Sequence, residues 1–95
     1  MNLLELRQKR DRILQIASLY GAKDLRIFGS IARNEQTESS DVDILAKMEK
    51  GTTLLKHISL VHALEEELGV KVDVVSESTI KGRIKENILH EAVKL

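Results

Sequence analysis

Between residues 70 and 75 the chain reads Val70-Lys71-Val72-Asp73-Val74-Val75. Valine at every second position, with charged residues between, predicts a strand with Val70, Val72 and Val74 on a buried face and Lys71 and Asp73 on the other. Two further runs read as strands. Leu25 to Phe28 alternates Leu25 and Ile27 with Arg26 and Phe28, and Asp41 to Lys47 places Val42 and Ile44 inward. Helical spacing fills the intervals. Residues 2–20 carry Leu3, Leu6, Ile13, Ala17 and Tyr20 on one stripe, widened by Leu14 and Ile16, with Asn2 as cap and Gly21 as stop. Thr52 or Thr53 caps a helix to Leu68 whose stripe is Leu54, Ile58, Val61, Leu64 and Leu68. A last helix places Ile80, Ile84, Ile88 and Ala92 together, beside Leu89 and Val93, its regular part beginning near Arg83 because Gly82 weakens the first turn. A short helix is expected from Ser30 to about Asn34, and a polar loop from Glu35 to Ser40.

This order, α-β-α-β-α-β-α, predicts an α/β (α+β) fold. Its small mixed sheet has three strands or slightly more, with helices packed on one face and the other face open as a cleft. Residues 1–95 are expected to form one domain. Lys plus Arg and Asp plus Glu balance at 15 each. The balance holds within each half, 9 basic to 8 acidic over residues 1–50 and 6 to 7 over 51–95, which excludes a stand-alone nucleic-acid binder by charge. No apolar run approaches a membrane span. With no cysteine there is no disulfide framework and no thiolate metal site, which is compatible with a cytoplasmic protein.

Chemistry concentrates between residues 28 and 45. Phe28-Gly29-Ser30-Ile31-Ala32-Arg33-Asn34-Glu35 ends a strand and opens a helical turn, whose backbone N–H groups attract anions, phosphate above all. Gly29 lacks a Cβ and admits a phosphate to the backbone, and the Ser30 hydroxyl adds a donor. Arg33 either touches a phosphate or pairs with Glu35 or solvent, and its residue type does not choose. Ser40-Asp41-Val42-Asp43-Ile44-Leu45 places Asp41 and Asp43 side by side on one strand face. Adjacent carboxylates resist joint ionisation without a cation between them, and such oxygen donors suit Mg²⁺ shared with substrate phosphates. Asp73 falls on the same face if its strand lies beside 41–47. Three carboxylates could then hold two Mg²⁺ ions, with Asp73 orienting or deprotonating a nucleophile. The plainer readings are an ordinary N-cap at Gly29-Ser30, an exposed strand end at Asp41 and Asp43, and a solvent-facing acid at Asp73. His57 and His62, five apart, miss the spacing of ligands on one helix face, and His90 is remote.

Gly29-Ser30-Ile31-Ala32-Arg33 followed by Ser40-Asp41-Val42-Asp43-Ile44-Leu45 resembles the signature of the DNA polymerase beta-like nucleotidyltransferase superfamily, and the short chain is similar to its minimal nucleotidyltransferase branch (MNT, MntA type). One departure stands at Asn34, where the family continues Ala-Arg with Gly. Asn tolerates the left-handed backbone better than most residues, so the turn is expected to persist. The resemblance implies a polymerase beta-like fold, ATP as substrate, Mg²⁺ at Asp41, Asp43 and Asp73, and the phosphates at Gly29, Ser30 and Arg33. It further implies transfer of AMP to a tyrosine hydroxyl of a partner HEPN-domain toxin, with the chain acting as antitoxin in a hetero-oligomer. The rival reading is a catalytically weak or inactive module of the same fold that neutralises a partner by complex formation alone.

Overall fold

The computed structural model describes all 95 residues. Helices α1 (Leu3–Gln8) and α2 (Arg10–Leu19) lead into strand β1 (Ala22–Phe28). Strand β2 (Val42–Met48), helix α3 (Leu54–Leu68) and strand β3 (Val72–Ser76) follow, then a 3₁₀ turn at Glu77–Thr79, helix α4 (Gly82–Glu91) and a two-residue strand β4 (Val93–Lys94). The sheet order is β3-β2-β1-β4. β1 runs antiparallel to β2 and β4, and β2 runs parallel to β3. The result is the mixed α/β architecture expected from the period changes, with one strand more than the three legible ones. No helix is long and apolar enough to cross a membrane.

The inward faces of the strands follow the alternation. Ile27 of β1, Val42, Ile44 and Ala46 of β2, and Val72 and Val74 of β3 are buried against Ile13, Ile16 and Ala17 of α2 and Leu60, Leu64 and Leu68 of α3. Each such leucine or isoleucine contributes about 1.5–3 kcal/mol by leaving water. This layer fixes which face of β2 and β3 points away from the helices, and the acids stand there. Leu45, next along that outer face, is only 1% exposed, so the open stretch that carries the carboxylates ends there.

Three local expectations are corrected. The helix over 2–20 is broken at Lys9, where the backbone leaves helical values (φ −100°, ψ 12°). Between Leu6 and Ile13 every residue is polar or charged, so no apolar contact holds that turn to the core. In α3, Thr53 caps the start and Gly69 ends it in the left-handed region, as expected, but Leu54 and Ile58 are exposed and Leu60 is buried instead. In α4 no residue is buried: Ile88 and Leu89 are half-buried and Ile84 is 66% exposed.

Candidate active site

The turn that follows β1 is not a regular helix. It is a single tight turn in which Arg33 N–H donates to the Gly29 carbonyl at 3.2 Å. Asn34 N–H donates to Ile31 O at 3.2 Å and Glu35 N–H to Ser30 O at 2.9 Å. The last two bonds, around a residue with positive φ, make a Schellman closure. Asn34 supplies that residue, at φ 57°. The departure from Gly is thus accommodated in the conformation Asn tolerates. The N–H groups of Ser30, Ile31 and Ala32 and the Ser30 hydroxyl find no acceptor within the protein.

Strand register brings the acids to this turn. Phe28 pairs with Asp43 across the antiparallel β1–β2 ladder, and Asp43 pairs with Asp73 across the parallel β2–β3 ladder. Residues in register on neighbouring strands share a face, so Asp43 and Asp73 stand side by side, with Asp41 just ahead of β2. Gly29 lies against Asp43. At φ 75°, a Cβ on Gly29 would collide with the Asp43 carboxylate. The glycine is therefore required twice, by its backbone and by its neighbour. Phe28, in register with Asp43, lies half-buried on the carboxylate face.

Asp41 and Asp73 are exposed and Asp43 is half-buried. None of the three accepts a hydrogen bond or forms an ion pair within the protein. Burial first, then the charges of Asp73 and Asp41, push the Asp43 carboxyl above its ordinary value, against the pull of Arg33. Unpartnered, mutually repelling oxygen donors fit a hard divalent cation. The expectation that three carboxylates could hold two Mg²⁺ ions, shared with substrate phosphates, is narrowed in one respect. No three His, Cys, Asp or Glu side chains converge closely enough to hold an ion by themselves. Substrate oxygens would have to complete the shell, as Mg²⁺ commonly requires.

Arg33 is engaged. Its Nη1 donates to Glu91 at 2.9 Å and its Nε to Glu35 at 3.2 Å, and these bonds, Glu91 first, raise the guanidinium above its ordinary value. Gly29 N–H also donates to Glu91, at 2.5 Å. Glu91 went unread in the sequence, where it looks like any acid on a helix surface.

A family profile for the nucleotidyltransferase domain matches residues 6–95. The chain belongs to the nucleotidyltransferase domain family. Its relatives in this family include a candidate protein adenylyltransferase of Methanocaldococcus jannaschii, 45% identical over 93 residues, covering 98% of this chain and 97% of that one. Protein adenylyltransferase MntA of Thermococcus cleftensis is 40% identical over 79 residues, covering 83% and 80%. A solved structure assigned as a minimal nucleotidyltransferase superposes with a TM-score of 0.88 at 46% identity, covering 100% of this chain and 97% of that one. A toxin–antitoxin crystal structure with AMP-PNP shares the nucleotidyltransferase fold at a TM-score of 0.77 and 17% identity, covering 88% of this chain and 69% of that one.

Proposed function

We propose that this nucleotidyltransferase is a Mg²⁺-dependent protein adenylyltransferase. It moves AMP from ATP onto a tyrosine hydroxyl of a partner HEPN-domain toxin and so acts as an antitoxin, as a single cytoplasmic domain working in a hetero-complex. The observation that carries the chemistry is the register of Asp43 with Asp73 beside Gly29, which sets a carboxylate pair against a phosphate-accepting turn. The names of the relatives, protein adenylyltransferases, support AMP transfer to protein. The AMP-PNP in a fold neighbour that is a toxin–antitoxin complex supports nucleotide and toxin as partners.

In this reading the Ser30 hydroxyl and the free N–H groups after Gly29 hold the outer phosphates. Asp41 and Asp43, with Asp73 beside them, would hold Mg²⁺, which when bound supplies positive charge to the triphosphate and its leaving group. Asp73, exposed beside the pair, orients the incoming hydroxyl and takes its proton. The tyrosine oxygen bonds to the α-phosphorus, the bond from that phosphorus to the bridging oxygen breaks, and pyrophosphate leaves with the electron pair. Arg33 lies close enough to Asp43 to lower its proton affinity, but its guanidinium is already shared between two glutamates. Its part is therefore to brace the turn, and phosphate contact falls to Ser30.

The test combines the protein with a candidate partner HEPN-domain toxin, ATP and Mg²⁺, followed by mass spectrometry of that toxin. AMP should be added to a tyrosine, and the Asp41→Asn/Asp43→Asn pair should abolish the addition while leaving the fold intact. A stable complex with an unmodified partner, neutralised equally by the double variant, would refute the transfer reading in favour of binding alone.

A further inference from the structure

The carboxylate of Glu91 spans the phosphate turn from its first residue to its fifth. Oε1 accepts from Gly29 N–H at 2.5 Å and Oε2 from Arg33 Nη1 at 2.9 Å. Charge-assisted bonds of this kind are about twice as strong as neutral ones. The side chain comes from the last residue of α4, and the chain after it is pinned. Ile27 pairs with Val93 and Arg26 with Lys94, Arg7 Nη2 donates to Lys94 O at 2.8 Å, and Leu95 is buried. Continuing that antiparallel register past Ile27 sets Gly29 opposite position 91. There the chain is still helical, so a side-chain oxygen takes the N–H that a ladder carbonyl would otherwise receive.

Resting on the nucleotidyltransferase reading above, we propose that Glu91 is a positioning residue of the nucleotide site, holding the Gly29–Arg33 turn in the shape that presents Ser30 to the phosphates. Two observations divide the labour. The clamp engages Gly29 N–H and Arg33 but leaves the N–H groups of Ser30, Ile31 and Ala32 and the Ser30 hydroxyl without an internal acceptor. The turn also contains only one regular i+4 backbone bond, so little else fixes its entry from β1. Gly29 thus gives the site space beside Asp43, Ser30 gives it donors, and Glu91 sets the angle between them.

Calorimetric binding of α,β-methylene ATP with Mg²⁺, a nucleotide that binds without transfer, tests this. Glu91→Ala should weaken binding about tenfold or more, and Glu91→Gln, which keeps one acceptor for Gly29, should fall between it and the parent. The Gly29 amide proton, shifted downfield by the carboxylate in the parent, should move upfield in Glu91→Ala. If the alanine variant folds poorly, the glutamine variant with its parental melting behaviour carries the comparison. Parental affinity in Glu91→Ala, with binding still lost in Asp43→Asn, would overturn the positioning role and leave the nucleotide site standing. Tighter binding in Glu91→Ala would overturn it too, by showing that the carboxylate competes with phosphate. No binding by the parent would overturn the nucleotide site and the positioning role together.

Discussion

The carboxylate of Asp43 lies where a side chain on Gly29 would begin. The end of β1 and the second acid of the Asp-Val-Asp run therefore fit only as a pair. Gly29→Ala would force a Cβ into that carboxylate and hold a non-glycine residue at φ 75°. We expect a stability loss of about 2–3 kcal/mol and loss of nucleotide binding. Gly51→Ala is the control. Gly51 also has positive φ, but its Cβ would meet open space, so the loss should be only about 1 kcal/mol. Equal losses in chemical denaturation would show that the Asp43 contact does not matter.

Asp43→Asn should stabilise the free protein while removing activity. The folded state raises the Asp43 pKa above its ordinary 3.8 through burial and the neighbouring acids. A raised folded pKa means that the folded state binds the proton more tightly than the unfolded one. The stability it contributes is fully present below the ordinary value and is lost as pH rises through the folded value. At pH 7 the parent carries the ionised, repelled carboxylate and the amide does not. We expect melting of Asp43→Asn at least about 2 °C above the parent at pH 7, a difference that closes as pH falls below about 4. AMP transfer should fall roughly a thousandfold or more. A variant less stable than the parent at pH 7 would contradict the repulsion.

Asn34 holds the left-handed position of the Schellman closure. Asn34→Gly should change stability by less than about 0.5 kcal/mol, since the relief of backbone strain is offset by greater freedom in the unfolded chain. Asn34→Val, β-branched and unsuited to positive φ, should cost about 1–2 kcal/mol. Urea unfolding of the three proteins gives the order directly.

The face shared by Asp43 and Asp73 is legible in the sequence because strand parity needs no tertiary information once the strands are neighbours. The capping of α3 by Thr53 and its end at Gly69 are legible for the same local reason. What the sequence hides is non-local. β4 is two residues long and exists only through its pairing with β1. Glu91 matters only because that register sets it opposite Gly29. The apolar stripes of α3 and α4 have the right period, yet period says only which residues share a face. It does not say whether anything packs there, and Leu54, Ile58 and Ile84 are left exposed. The break at Lys9 reflects the same limit, since a long polar interval reads as helix surface until the core shows which turns it holds.

The pairing of Asp43 with Asp73 across a parallel ladder carries one more consequence. Neighbouring strands lie about 4.8 Å apart whatever side chains they bear. The backbone therefore acts as a ruler for the two acids, and the side-chain core beneath it does not set their spacing. Core substitutions that thin the hydrophobic layer should lower the fraction of molecules folded without altering what each folded molecule binds. For such core substitutions, affinity per active molecule and melting temperature vary independently, and sequences that diverge in the core can keep the one while drifting in the other.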